Sequence, residues 1–211
     1  MKIGMVVVTS RSTTQIEARL GNQSLPRESV VVVVDNSSSD EEQLACRLMC
    51  EARGWAHISL ASNFGFGAAS NIGVDRAIAL GAESIMLLNP DASIDEGAVA
   101  LLLDHLQKRP ESIVAPTILK EDRSVWFQGG RVSWKRGMAY HPDTPPATSK
   151  VEWLTGACIM MRVATWNALG GFDETYFLYW EDVELTYRWR VQGGELKVHE
   201  QAHAVHAVGG T

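Results

Sequence analysis

The first half of the chain alternates between continuous apolar runs and amphipathic stretches. The runs IGMVVV and VVVVV are rich in β-branched residues, which is typical of strands covered on both faces. Strands are predicted at 3–8, 30–34, 57–60 and 84–88. Helices are predicted at 13–20, 40–54 and 67–80, with Gly54 and Gly81 as their C-terminal stops. This alternation predicts an α/β domain whose mostly parallel, Rossmann-like sheet carries helices on both faces.

The second half has a different pattern, with shorter strands and more turns. A helix is expected after Ser93, because Ser93 and Glu96 match the Ser-x-x-Glu capping box, and Pro110 closes it. Beyond residue 112 the strand-like segments are SIVAPTIL, WFQGGRVSW, ACIMMR and 195–206, with a Pro-rich loop at 141–149 and a helix at about 182–191. The second half is therefore predicted to be smaller and mixed or antiparallel.

Composition narrows the class of protein. A chain of 211 residues fits one domain, and its net charge of −6 disfavours a nucleic-acid partner. The opening MKIGMVVVTS is interpreted as a buried first strand, so no signal peptide or membrane span is expected. Cys46, Cys50 and Cys158 are expected to be core thiols, since no second cysteine pair completes a zinc site, and a reducing cytoplasm is the simplest compartment.

Three polar segments follow predicted strands, where ligands bind in open α/β sheets. DNSSSD at 35–40 offers a carboxylate to a base or ribose, or simply caps a helix. The glycine-rich NFGFGAASN at 63–71 either cradles a diphosphate or makes a tight turn. Asp91 in Asn89-Pro90-Asp91 is a candidate ligand for Mg²⁺ or Mn²⁺, and alternatively a turn residue.

Two further segments near the C-terminus carry candidate chemistry. Glu181 and Asp182 follow the aromatic run YFLYW, and acids in a first helical turn stay ionised as a general base requires. The aromatic run and Trp153 are candidates for stacking on sugars, although core packing is the alternative. HEQAH at 199–203 matches a zinc-protease pattern, but its alternating apolar positions predict a strand, whereas that motif needs a helix.

Taken in order, these motifs resemble the family 2 glycosyltransferases of the GT-A fold, especially the bacterial rhamnosyltransferase-like members. The resemblance covers nearly the whole chain. It rests on DNSSSD, NFGFGAASNIG, LLNPDA, WLTGACIMMR, GGFDETYFLYWEDVELTYRWR and the closing HAVHAVGG. It implies a single GT-A domain over 1–211, with a nucleotide-sugar-binding half at 1–111 and an acceptor-binding and catalytic-base half at 112–211.

The resemblance also assigns roles to particular residues. Asp182 would be the catalytic base with Glu181 beside it, and Asp91 and His206 would contact the divalent metal. The nucleotide sugar would be held by Thr9, Asp35, Ser37, Asn63, Gly65, Asn71 and Asn89, and the acceptor by Trp153, Gly156 and Trp180. This chain reads Thr9-Ser10-Arg11-Ser12 where many members have an aromatic residue and Asn, and many continue with further helices past the position of Thr211.

The implied reaction is inverting transfer of a sugar, with dTDP-rhamnose as the first guess, from a nucleotide-diphosphate donor to a hydroxyl acceptor. That acceptor would be a glycan, a glycolipid or a small molecule, as in bacterial polysaccharide or glycoconjugate biosynthesis. Mg²⁺ or Mn²⁺ is the implied cofactor, and any membrane contact would be peripheral. A non-catalytic or partner-dependent sugar-nucleotide-binding module is the alternative, and a dehydrogenase is a weaker one. Oligomeric state is left open.

Overall fold

A computed structural model describes residues 1–142 and 150–207 as an α/β fold. The strands of this described part are β1 (Ile3–Thr9), β2 (Ser29–Asp35), β3 (Ala56–Ser59), β4 (Ser84–Leu88), β5 (Ala92–Ile94), β6 (Ser112–Leu119), β7 (Val125–Phe127), β8 (Arg131–Ser133), β9 (Met138–Tyr140), β10 (Cys158–Arg162) and β11 (Glu195–His206). Its helices are α1 (Thr13–Arg19), α2 (Asp40–Arg53), α3 (Phe66–Ala79), α4 (Glu96–Lys108), α5 (Val163–Leu169) and α6 (Glu181–Val191). The predicted elements are confirmed, most within one or two residues, while the Pro-rich loop lies mainly outside the described residues.

The main sheet combines a parallel part with a mixed part, as predicted. Its strand order is β3-β2-β1-β4-β10-β6-β11-β5, with β7 paired to β6. The first four strands are parallel, whereas β10 runs antiparallel to both β4 and β6. β8 and β9 form a separate two-stranded sheet.

Helices cover both faces of the parallel part. Because strand side chains alternate between faces, Val34 and Asp35 point to opposite sides of β2. Gly73 of α3 packs so closely on Val6 and Val34 that an added Cβ would lie 2.5 and 2.8 Å from their methyl groups. On the other face, Cys46 of α2 lies close to Asp35. Strands β1, β2 and β4 lie between these helices and are almost wholly buried, which explains their continuous apolar sequences.

The start of α4 differs from the prediction. The cap is Asp95, whose side chain accepts a hydrogen bond from the Ala98 N–H at 2.7 Å, and the predicted Ser93 cap is wrong. Ser93 lies instead in β5, which pairs with β11. The short elements β5, β9 and α5 were not predicted. β5 and β9 depend on pairing with β11 and β8, which the sequence does not reveal.

The topology brings the ends of distant strands to one edge of the sheet. β1, β2, β3 and β4 end there, and so do the parallel strands β6 and β11. The antiparallel β10 begins at the same edge, since Cys158 pairs with Leu88. The polar segment after Leu88, the segment before Cys158 and the end of β11 therefore lie together at this edge.

The structure also bears on the expectations for the cysteines and for membrane-spanning helices. Cys46, Cys50 and Cys158 are free and buried, as predicted for core thiols. Within 1–142 and 150–207, the helices are all too short or too polar to cross a bilayer.

Candidate active site

A cleft of about 790 Å³ opens at the edge where these strands end. Its volume is in the range of about 300 to 1,000 Å³ that small-molecule sites occupy. Most of the residues predicted for the site line this cleft: Asn63, Gly65, Asn89, Asp91, Trp153, Gly156, Trp180, Glu181, Asp182 and His206. Segments more than 100 residues apart in sequence thus converge on one cavity.

One wall of the cleft pairs Asp91 with His206. Asp91 follows β4, and it lies beside His206 because Ala92 of β5 pairs with His206 of β11. The Asp91 Oδ1 and His206 Nε2 atoms are 3.0 Å apart, and both side chains are buried. The Asn89 side-chain nitrogen lies 3.2 Å from the same His206 Nε2. Trp126 stacks on the imidazole with 4.7 Å between ring centroids.

This pair fits a divalent cation. With the ring proton on Nδ1, the single lone pair of His206 Nε2 can go either to the Asn89 amide or to a cation. The Asp91 carboxylate oxygen, 3.0 Å away, would be a second ligand of that cation. Neighbouring ligands of an octahedral Mg²⁺ lie about 3 Å apart, which matches the observed separation. The described residues that line the cleft include neither Lys nor Arg, so a bound diphosphate would need another source of positive charge.

Asp182 lies at the start of α6, on the cleft. Its Oδ2 accepts a hydrogen bond from the Gly156 N–H at 2.8 Å, and its Oδ1 accepts one from the Val183 N–H at 2.7 Å. Desolvation raises the pKa of Asp182, while the bonds from Gly156 and Val183 oppose that rise. The carboxylate is therefore held in a fixed orientation and is more basic than an exposed aspartate.

Glu181 is the more deeply buried of the two acids. Burial raises the pKa of Glu181 to about 7, and the charge of Asp182 adds to the rise. Its Oε2 atom is buried and has no hydrogen-bond partner among the described residues. The expectation that Glu181 stays ionised is therefore wrong, because burial outweighs the helix dipole. Near neutral pH this carboxyl is about half protonated, so it can donate a hydrogen bond that an ionised glutamate cannot.

The glycine-rich loop forms another wall, and Asn36 holds it in place. The Asn36 Nδ2 group donates to Asn63 Oδ1 at 2.9 Å and to the Gly65 carbonyl at 3.1 Å, while its Oδ1 accepts from the Phe64 N–H. Gly65 has φ of +85°, and an added Cβ would lie 2.1 Å from the Phe177 carbonyl oxygen. Glycine is therefore required where this loop meets the aromatic run.

Four predicted nucleotide-sugar residues do not line the cleft. Thr9 is buried and accepts a hydrogen bond from the Ser12 N–H, and Asp35 Oδ1 accepts one from the Ser37 N–H. The Asp35 Oδ2 and Ser37 Oγ atoms are buried without a partner among the described residues. Asn71 bridges α3 to Phe172 and Glu174. Roles for these four residues in donor binding stay predictions.

Asn36 and Trp126 are among the cleft residues that the sequence interpretation missed. Asn36 lay within the DNSSSD segment, but only Asp35 and Ser37 were chosen from it, although an amide can bond in two directions at once. No local sequence pattern marks Trp126 as a cleft residue, because its contact with His206 depends on the packing of β7 near the end of β11.

The aromatic candidates differ in exposure. Trp153 is buried, packs on Phe127 at 5.0 Å and donates from its indole nitrogen to the Arg131 carbonyl, so little of its ring is free for a sugar. Trp180 is half-buried, whereas Phe177, Leu178 and Tyr179 are exposed at the cleft. HEQAH lies on strand β11, as predicted, which excludes the helical zinc-protease arrangement.

The fold is that of the GT-A glycosyltransferases. A structure of GalNAc-T7 with UDP, GalNAc and Mn²⁺ aligns with a TM-score of 0.78 at 15% identity, over 98% of this chain and 44% of that one. A mannosyltransferase from Pyrobaculum calidifontis, in complex with GDP-Man and Mn²⁺, aligns with a TM-score of 0.75 at 20% identity, over 99% and 57%.

The sequence comparisons place the chain more closely. The glycosyl transferase family 2 model matches residues 17–167, and the chain belongs to that family. It is rhamnosyltransferase-like, being 28% identical to the N-acetylglucosaminyl-diphospho-decaprenol L-rhamnosyltransferase of Mycobacterium tuberculosis (strain ATCC 25618 / H37Rv), over 86% of this chain and 68% of the relative. The chain thus spans about two thirds of that relative and about half of the two solved chains.

Proposed function

We propose that this chain is an inverting glycosyltransferase that moves a sugar from a nucleotide-diphosphate donor to a hydroxyl acceptor. One observation carries the proposal: a single cleft holds both the Asp91 and His206 pair and the carboxylate of Asp182. The first arrangement suits a diphosphate with its cation, and the second suits proton removal from a hydroxyl. Family membership supports the same reaction class.

The donor would lie along the wall formed by residues of 1–111. The loop around Gly65 would shape this wall, and Asn36 holds it in place. The N–H groups of Phe64, Gly65 and Phe66 already donate to Asn36, Asn63 and Phe177. Asp91 and His206 would hold Mg²⁺ or Mn²⁺, which would neutralise the charge growing on the leaving diphosphate. The Mn²⁺ in the two similar solved structures supports this assignment.

The acceptor and the base would belong to 112–211. Asp182 removes the acceptor proton as the hydroxyl oxygen attacks the anomeric carbon. The bond from that carbon to the diphosphate oxygen breaks, and its electron pair leaves with the diphosphate. The attack comes from the face opposite the leaving group, so the anomeric configuration inverts and no covalent glycosyl-enzyme forms. Glu181, when protonated, would donate a hydrogen bond to the acceptor.

The donor sugar proposed is rhamnose on dTDP, and the acceptor proposed is a lipid-linked glycan. The mycobacterial relative is named for rhamnosyl transfer to a decaprenol-linked sugar. Phe177, Leu178 and Tyr179 line the cleft with exposed fractions of 57, 52 and 75%. Exposed apolar side chains beside a polar cleft suit an acceptor that joins a sugar to an apolar chain, with peripheral contact at a membrane.

The test is calorimetric titration with UDP, dTDP, GDP and NAD, each in Mn²⁺ and then in EDTA. We expect one nucleotide diphosphate to bind in Mn²⁺ and to lose most of its affinity in EDTA. Asp91→Asn should lose the same affinity, whereas Asp75→Asn, at an exposed position on α3, should not. Binding of none of the ligands would favour an inactive or partner-dependent module, and a preference for NAD would favour a dehydrogenase.

The stereochemistry is tested separately with the donor that binds. NMR of the product should show the anomeric configuration inverted relative to the donor. Retention would contradict the role of Asp182 as base while leaving the donor class standing.

A further inference from the structure

Three side chains that commonly bind metals meet outside the cleft. Asp35 ends β2, Cys46 lies on α2 and His57 lies on β3. One potential ligand atom from each, a carboxylate oxygen, the thiol sulfur and an imidazole nitrogen, lies within 4.8 Å of the other two. None of the three residues lines the cleft that holds Asp91 and His206.

Two of these atoms lack a partner. Asp35 is fully buried, and its Oδ1 accepts the Ser37 N–H at 2.9 Å. Its Oδ2 and the His57 Nε2 are buried and have no hydrogen-bond partner among the described residues. Buried polar atoms are normally satisfied, so two unpartnered atoms on residues whose potential ligand atoms lie within 4.8 Å of one another call for a further partner, such as a bound ion.

The positions of β2, β3 and α2 bring these three residues together. β2 and β3 are parallel neighbours, and Val33 pairs with His57 while Asp35 pairs with Ser59. Asp35 and His57 therefore lie on the same face of the sheet, two residues apart in register. α2 packs on this face and turns Cys46 toward them. Asp35, Cys46 and His57 are thus brought together without any residue that lines the cleft.

The donor set selects the kind of ion. Thiolate, imidazole and carboxylate together favour Zn²⁺, which binds sulfur at about 2.3 Å and nitrogen at about 2.0 to 2.1 Å. Mg²⁺ and Mn²⁺ prefer oxygen ligands, so they suit this set poorly. His57 is half-buried, and water would be the fourth ligand of a zinc ion held by three side chains.

We propose that Asp35, Cys46 and His57 form a zinc-binding site separate from the divalent-cation site of the cleft, which for Asp35 replaces the role in donor binding that the resemblance implied. The site is made by three elements of the nucleotide-binding half and ties β2, β3 and α2 together. Zinc bound there stabilises the folded chain, because the ligands come together only when the sheet and α2 are assembled.

The test is a titration of the reduced, metal-free full chain with Co²⁺, followed by Zn²⁺. We expect about one equivalent of Co²⁺ to produce a thiolate-to-cobalt charge-transfer band that Zn²⁺ abolishes, and Zn²⁺ to raise Tm. Cys46→Ala should remove the band, and His57→Gln should weaken Zn²⁺ binding at least tenfold. Cys158→Ala is the matched control, since Cys158 is equally buried but lies on β10.

Further variants separate this site from the cleft. Asp91→Asn should keep the cobalt band, because Asp91 is outside the three ligands. If Cys46→Ala does not fold, the Zn²⁺ affinity of His57→Gln tests the proposal instead, since the half-buried position of His57 makes this the milder change. Absence of the band in the unaltered protein, its survival in folded Cys46→Ala, or full Zn²⁺ affinity in His57→Gln would overturn the proposal.

Discussion

Asp182 shows how its immediate surroundings prepare one residue for proton transfer. Backbone N–H groups of Gly156 and Val183 fix the orientation of the carboxylate, and its partial burial raises the pKa. An amide in its place would keep similar size and some of these bonds, but it could not accept the acceptor's proton.

Asp182→Asn is therefore expected to lower kcat by at least about 100-fold, which is the low end for a lost general base. The Kd for the nucleotide diphosphate should change by less than about threefold, since Asp182 is assigned to the acceptor. Transfer assays and calorimetry on the same preparation measure both. Asp40→Asn, an exposed acid in the first turn of α2, is the control and should be active. Unchanged transfer by Asp182→Asn would refute the base assignment.

Glu181 makes stability depend on pH in a predictable direction. Its carboxyl has an ordinary pKa of 4.5, which burial raises to about 7 in the folded chain. The folded state therefore holds the proton more tightly than the unfolded state, so this group favours folding at low pH. That contribution is lost progressively as the pH rises from about 4.5 to about 7.

Glu181→Gln should consequently be more stable than the parent at pH 8, by up to about 3 kcal/mol, with the difference shrinking toward pH 5. Urea unfolding at the two pH values measures the difference in the free energy of unfolding. Glu41→Gln, at an exposed first-turn position of α2, should show a much smaller pH-dependent difference. A Glu181→Gln difference that is equal at pH 5 and pH 8 would contradict the raised pKa.

At the scale of elements, the cleft depends on contact between the glycine-rich loop and the aromatic run. The Phe66 N–H donates to the Phe177 carbonyl at 3.2 Å, so the start of α3 is fixed against the segment that leads into α6. Tyr179 and Trp180 of that segment have φ of +66° and +73°, which is uncommon for bulky side chains. The contact therefore supports a strained backbone directly before Glu181 and Asp182.

Gly65→Ala should disturb both sides of this contact. An alanine at φ of +85° is strained, and its Cβ would meet the Phe177 carbonyl oxygen. We expect the free energy of unfolding to fall by about 1 to 3 kcal/mol and nucleotide affinity to weaken. Gly193→Ala is the matched control, because Gly193 also has positive φ, +90°, but does not line the cleft, and a Cβ there meets nothing within 4 Å. Equal effects of the two substitutions would show that the loop contact is unimportant.

At the scale of the whole molecule, the two halves share one sheet. β10 of the second half pairs along β4 of the first, so the predicted division at residue 111 does not separate two independent sheets. Asn71 adds a side-chain connection, since it donates to the Phe172 carbonyl and to Glu174 and accepts from the Phe172 N–H.

Asn71→Ala removes this connection and leaves the Phe172 N–H and carbonyl without these partners. The free energy of unfolding should fall by about 1 to 3 kcal/mol in denaturant titrations. Asp75→Asn, exposed one turn further along α3, should change it by less than about 0.5 kcal/mol. An unfolding free energy unchanged by Asn71→Ala would indicate that the halves do not depend on this bridge.

Elements with a strong hydrophobic periodicity could be predicted from the sequence. The apolar runs of β1, β2 and β4, and the alternation in β11, reflect local burial patterns that can be recognised without partners. Such patterns also sufficed for the fold class, and the ordered motifs sufficed for the family. Short elements such as β5 were missed, because their conformation depends on pairing with β11.

The contacts within the site were decided by tertiary structure. Pairing of β5 with β11 places His206 beside Asp91, and the segment that precedes β10 supplies the Gly156 N–H to Asp182. Asp35, Cys46 and His57 are joined by strand register and by the packing of α2. Periodicity reports whether a residue is buried, whereas the identity of its neighbours depends on strand order and register, which are set by long-range packing.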